Sequence, residues 1–314
     1  MRRTFVHATL GAALLVATLA VPLSAPVASA ASTASTTGPS CIVSLSPTAT
    51  ETLYAIGAGA QVQAVDKDSN YPTHGLPNKR IDAFNPSVEA LLGICRPTAH
   101  HPSRKPDLVV ISYDANDIAQ KLAGLGVPVI QQDAPSTLGG AYHQMLQLGR
   151  LTGHLRAAQR LVESLKARIA ADVRSVPQHA ASAIRVYYEL DPTYYSVTSA
   201  TFVGSLLKAL GTTNIADAQS TSADAGYPQL SAEYIVSANP SVIFLADTIC
   251  CHQSAATVAA RPGFAQVSAV VHHHVYALND DIASRWGPRI GLLMNQLTRA
   301  VIQTLAASGS TSSS

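Results

Sequence analysis

A charged amphipathic stretch sits near the middle of the chain, between two segments built on one plan. Residues 137–176 read TLGGAYHQMLQLGRLTGHLRAAQRLVESLKARIAADVRSV. Leu155, Ala158, Val162, Leu165, Ile169 and Val173 recur at helical spacing, with Arg156, Arg160, Glu163, Lys166, Arg168, Asp172 and Arg174 between them. Thr152-Gly153 divides a first helix from a longer second one, with Thr152 placed to cap the second. About 20 residues rising 1.5 Å each span roughly 30 Å, the width of a small domain. Such a helix reads as a stiff strut joining two lobes. The competing reading is one more helix on a single domain.

The flanks favour the strut. Residues 41–59, CIVSLSPTATETLYAIGAG, predict strand, turn and helix, with Thr48 or Thr50 as the cap, Glu51 in the first turn, and Gly57 and Gly59 at the end. A second strand and loop follow over 61–75, and a helix over 84–94 carries Pro86 in its first turn. Residues 105–112 and 127–133 read as buried strands of a parallel sheet, separated by a helix over 118–126. Beyond the strut, a strand over 184–190 and a helix over 198–211 restart the pattern. SAEYIVSANPSVIFLAD (231–247) then mirrors SVEALLGI and KPDLVVIS: a Ser, a Glu, an apolar helix, and an Asn-Pro or Lys-Pro leading into an apolar strand. VYALND gives a last strand, and GPRIGLLMNQLTRAVIQTLAA a closing helix. The expected fold is therefore α/β, with two Rossmann-like lobes joined by a single long rigid helix. Its divisions are a leader at 1–30, a linker at 31–40, an N-terminal lobe at 41–136, linker helices at 137–176, a C-terminal lobe at 183–306 and a disordered tail at 307–314.

Arg2 and Arg3 precede an apolar run, and VASA ends at Ala30 in a small-x-small pattern, so an export signal cleaved near Ala30 is expected. RRTFV also resembles a twin-arginine signal. With 21 basic and 19 acidic side chains and no long basic run, nucleic acid is not an expected partner. In an exported chain four cysteines suggest two disulfides. The preferred pairing is Cys41 with Cys95, leaving the adjacent Cys250 and Cys251 as a vicinal bridge or as thiols. Lipidation of Cys41 is the disfavoured alternative, because GPSC is a poor match to that signal and the first strand begins at once.

Ligands of open parallel sheets sit outside the carboxyl ends of the strands. Those ends supply Ser46, Tyr71, Tyr113, Glu189, Asp191, Tyr194, Tyr195, Asp247, Asp280, Asp281, Arg285, Trp286 and Arg289. Eleven tyrosines against five phenylalanines suit a large amphipathic ligand, although any one tyrosine can equally be core. Glu89 and Glu233 hold matching places at the starts of matching helices, where the helix dipole alone favours a carboxylate. His272, His273 and His274 read as an exposed turn, and His100 and His101 likewise, within the polar insertion CRPTAHHPSR. No metal site and no cofactor are expected. The chain has no G-x-S-x-G, H-E-x-x-H, P-loop or G-x-G-x-x-G, which weakens enzyme readings. A secreted enzyme or metal-binding protein using the cleft acids or the Cys250-Cys251 pair remains the alternative.

The ordered set CIVSLSP, the YP loop, FNPSVEAL, KPDLVV, LGVPV, the long central helix, YPQLSAEYIVSANPSVIFLAD and RWGPRI resembles class III solute-binding proteins, the helical-backbone receptors of ABC importers for cobalamin, ferric siderophores and haem. The resemblance runs from Cys41 to Ala306. It implies a monomeric, non-catalytic receptor that holds a chelated-metal ligand between its lobes. It further implies that Glu89 and Glu233 dock the two permease subunits. By resemblance Tyr113 faces the ligand, and Trp286 and Arg289 lie near the last pocket-lining segment. Ser46, Tyr71, Glu189, Tyr194, Tyr195 and Asp247 complete the expected ligand set. ELDPTYY departs from the pattern and brings hard oxygen donors suited to ferric iron.

Overall fold

The computed structural model describes residues 38–99 and 101–311, with side chains to residue 307. The expected leader, most of the 31–40 linker and His100 lie outside the described residues. The first lobe contains β1 (Ile42–Leu45), α1 (Pro47–Ala55), β2 (Val62–Asp66), β3 (Arg80–Ile81), α2 (Val88–Leu92), β4 (Leu108–Ile111), α3 (Ile118–Gly124) and β5 (Val129–Gln131). Its five strands are parallel, in the order β3-β2-β1-β4-β5. Apolar runs IVSL and LVVI form the fully buried centre, as expected where helices cover both faces. At the edge, β5 is only half-buried, against the expectation of a third buried strand.

Local chemistry sets the helix ends. Ser46, not Thr48 or Thr50, caps α1: its Oγ accepts the Ala49 N–H at 3.2 Å, and Pro47 takes the first helical position, where no N–H is needed. Gly57, at φ +90°, ends the turn that follows. Ser87 caps α2, so Pro86 precedes the cap instead of lying in the first turn. A disulfide joins Cys41, at the mouth of β1, to Cys95 beyond α2, with a Cα–Cα distance of 6.0 Å, so Cys41 has no free thiol to carry lipid. His101 is buried against Asp107 at 2.9 Å, a correction to its reading as an exposed turn residue. The same carboxylate holds the backbone N–H groups of Ser40 and Cys41 at 2.8 and 3.0 Å.

Two helices, α4 (Leu138–Leu151) and α5 (Leu155–Ser175), link the lobes. Thr152 ends α4, with its Oγ1 bonded to the Leu148 carbonyl at 2.7 Å, and does not cap α5. The break falls at Gly153, at φ +79°. Gly149 lets the helices cross closely, since a Cβ there would meet the Ala158 Cβ at 2.5 Å. Leu148 and Ala158 pack into the first lobe, alongside Leu161. Leu165 and Ile169, further along the same helix, pack into the core of the second lobe. Burying each leucine contributes about 2 kcal/mol, so both cores hold the strut.

After α6 (Gln178–Ala181), the second lobe runs β6 (Arg185–Glu189), α7 (Phe202–Ala209), β7 (Thr213–Asn214), α8 (Ala232–Ala238), β8 (Val242–Leu245), α9 (Ala255–Ala259), α10 (Ser268–Val271), β9 (Val275–Ala277), α11 (Asp280–Ala283) and α12 (Ile290–Thr311). Its parallel order is β7-β6-β8-β9. Helix α12 continues to Thr311, past residue 306 where a disordered tail was expected. Cys250 and Cys251 form a vicinal disulfide in the loop after β8. Asp280 clasps that loop, its carboxylate accepting the N–H groups of Thr248, Ile249 and Cys250 at 2.8 to 3.0 Å.

Candidate functional site: the junction between the lobes

The carboxyl ends of the first sheet meet the segment after β9. Between them lies a cavity of about 430 Å³, with Ser46, Thr48, Lys67 and Ser112 on one side and Asp281, Arg285 and Trp286 on the other. Ser46 reaches it while serving as the cap of α1. Trp286 is fixed there by its Nε1–H, which donates to Gln144 Oε1 on α4 at 2.7 Å. Behind Ser46, Thr50 donates to Ser44 Oγ at 2.9 Å and Ser69 donates to Thr50 at 2.8 Å. Ser69 also bonds Asp66, whose carboxyl burial pushes above its usual range.

One carboxylate holds the junction. Glu51 of α1 is 2% exposed and accepts from Arg285 Nη1 at 2.9 Å, Arg289 Nε at 2.8 Å and Arg289 Nη2 at 2.5 Å. Arg285 also donates to Asn70 Oδ1 and to the Asp68 carbonyl, both at 2.9 Å, and to Asp281. Asn70 returns a bond to Asp281 at 2.7 Å. Placing Glu51 in the first turn of α1 missed this role, because with Ser46 as cap it stands in the fifth helical position and faces inward. A usable signal was present: Glu51 is the only charge in PTATETLYA, and Arg285 and Arg289 stand four apart around RWGPR.

Arg289 and Tyr71 lie together, the guanidinium 4.5 Å from the ring centre, but they line a second cavity, of about 450 Å³, on the other side of Glu51. Tyr113 is 64% exposed beside Ser112. Tyr195 is exposed, and its backbone bridges Gln229.

Glu189, Asp247 and Tyr194 form a separate cluster under the strand ends of the second lobe. Glu189 is fully buried and gripped by Arg261 through two bonds of 2.6 Å. Arg261 lies 5.3 Å over the Tyr194 ring, which stacks on Phe264. Glu189 is spent on Arg261 and the Tyr194 ring is covered by Arg261 and Phe264, which narrows the reading of ELDPTYY as hard oxygen donors to Asp191 and Tyr195. Among the described residues no three His, Cys, Asp or Glu side chains gather as a metal site. Asp247 is fully buried, and both its oxygens lack a donor. Burial, and then the neighbouring Glu189, push its carboxyl up to about 7. As a neutral acid it can donate from one of these oxygens to Glu189.

Glu89 and Glu233 are exposed in the first turns of α2 and α8. Their caps match as well: Ser87 accepts the Ala90 N–H at 3.2 Å, and Ser231 the Tyr234 N–H at 3.1 Å. Backbone and Ser87 hydrogen bonds hold the Glu89 carboxyl below its usual range.

Two parallel-sheet lobes, a helical strut shared by both cores and a cavity at their junction define a class III binding protein, a fold that captures a solute without turning it over. Residues 42–282 match the model of the periplasmic binding protein family, and the chain belongs to that family of substrate-binding, non-enzymatic transport proteins. It is 28% identical to an uncharacterized ABC transporter substrate-binding lipoprotein of Bacillus subtilis, over 80% of this chain and 76% of that one. A cobalamin-binding protein of Halobacterium salinarum is 30% identical, over 85% of this chain and 70% of that one. The crystal structure of a possible iron-binding (periplasmic solute-binding) protein from Staphylococcus epidermidis superposes with a TM-score of 0.70 at 25% identity, covering 84% of this chain and 99% of that one. The protein is thus an extracytoplasmic substrate-binding component of an ABC transporter.

Proposed function

We propose that this protein captures a chelated-metal ligand, a ferric siderophore, a corrinoid or haem, in the cavity between its lobes and delivers it to a permease dimer. The supporting observation is the cavity formed by Ser46, Ser112 and Trp286 beside the Glu51–Arg285 cluster, at the strand ends where such folds bind ligands. Tyr113 and Tyr195 are exposed aromatics available to a large amphipathic ligand. Within this reading, residues 41–136 and 183–306 are the lobes, 137–176 the strut and 1–30 a leader removed on export, and the receptor works as a monomer. Glu89 and Glu233, exposed on matching helix starts, are the docking pair.

The test is thermal unfolding of the mature protein with cyanocobalamin, haemin, and a hydroxamate and a catecholate ferric siderophore. A ligand at 100 times its Kd stabilises the fold by about 2.7 kcal/mol, and Trp286, the single tryptophan, should change its emission on binding. No response to any member of the panel overturns the ligand assignment. The double substitution Glu89→Lys/Glu233→Lys should abolish uptake and leave affinity intact, so uptake that survives it removes the docking assignment.

A further inference from the structure

The second cavity shares no lining residue with the first, and its walls describe a different ligand. Tyr54, Tyr71, Pro72 and Leu292 supply aromatic and aliphatic surface to a space of about 450 Å³, within the range of small-molecule sites. Tyr71 and Leu292 are 42% and 40% exposed, and Arg289 covers one face of the Tyr71 ring. Tyr54 is held in place by its Oη–H, which donates to the Gly75 carbonyl at 2.7 Å.

The charge in this cavity has a sign. Glu51 closes one end, but Arg289 Nε and Nη2 occupy both its oxygens. Arg289 Nη1 makes no hydrogen bond among the described residues. Arg168 of α5 also lines the cavity, and its guanidinium makes neither an ion pair nor a hydrogen bond among the described residues. An exposed guanidinium without a protein partner at the edge of a largely apolar hollow favours a planar anion, because its fork matches a carboxylate in a bidentate pair. The geometry points to a second, separate binding site, lined by Tyr54, Tyr71, Pro72 and Leu292 and completed by Arg168, for a small flat carboxylate with an aromatic or hydrocarbon body. A ligand there would lie on the far side of the Glu51–Arg285–Arg289 cluster from the first cavity.

The probe is 2-naphthoate, with 2-naphthamide as its uncharged counterpart, titrated into the mature protein by calorimetry and by ¹⁵N-resolved NMR. Naphthoate should bind at least about tenfold more tightly than the amide, as a charge-assisted pair requires. Arg168→Ala should remove that preference, and Arg168→Lys should restore part of it. Arg168 is exposed, so neither change threatens the fold. Amide resonances of Tyr71, Arg168 and Leu292 should shift, while the single indole N–H resonance of Trp286 stays in place. Absence of binding at millimolar probe overturns the inference. So does equal affinity for acid and amide, indifference to Arg168→Ala, or shifts centred on Ser46, Ser112 and the Trp286 indole. None of these outcomes touches the capture reading, and a failed cobalamin, haemin and siderophore panel would leave this second site standing.

Discussion

Replacing Asp247 by asparagine should make the protein more stable at neutral and alkaline pH. The buried Asp247 carboxyl sits beside Glu189, and its pKa is raised from 3.8 to about 7. Between those values the folded state keeps a proton that the unfolded state has released, so stability falls as pH rises through the window and levels off above it. At 1.36 kcal/mol per pKa unit, a rise of about three units sets a ceiling of about 4 kcal/mol on the loss. Asparagine has the shape of the neutral acid, and its N–H₂ can donate to Glu189, which Arg261 already holds. Asp247→Asn should therefore match wild type within about 1 kcal/mol at pH 4 and exceed it by about 2–4 kcal/mol at pH 8. Urea unfolding at half-unit steps from pH 4 to pH 8 measures this, and the difference between the two proteins isolates Asp247 from other titrating groups such as Asp66 and Asp107. A variant less stable than wild type at pH 8, or a difference that does not change with pH, refutes the reasoning.

Glu51→Ala leaves Arg285 and Arg289 buried without their shared carboxylate and should cost about 3–5 kcal/mol, read as a lower urea midpoint. Cys41→Ser/Cys95→Ser opens a bridge spanning 54 residues and should cost about 2–4 kcal/mol in the same assay, while a change below about 1 kcal/mol would show that the bridge constrains little.

The architecture was legible because its signals are local. IVSL, LVVI and VIFL are apolar runs too short for helices, and the Ser-x-Glu starts of α2 and α8 repeat one another across the strut. Cap positions were less legible, since Ser46, Thr48 and Thr50 all offer hydroxyls and only the geometry of Pro47 selects among them. Pairings over long sequence distances were not legible. Glu51 meets Arg285 and Arg289 across 234 and 238 residues, and Glu189 meets Arg261 across 72. No periodicity encodes such contacts, so Glu189 looked like a free ligand group and Glu51 like a helix-start charge. The division of Tyr71 and Arg289 from Ser46 and Trp286 follows from the same cluster, which turns one expected cleft into two cavities.

The strut contributes its own leucines to both hydrophobic cores, with Leu161 packed against both and Leu165, one turn on, in the second. Wide opening of the lobes would have to strip apolar surface from one core or bend α5, and each costs more than a hinge loop would. The molecule is thus a caliper with a fixed jaw. Between Glu89 and Glu233, the proposed docking pair, the span then reads nearly the same with cargo or without. Loaded and empty receptors must then be told apart by what fills the jaw.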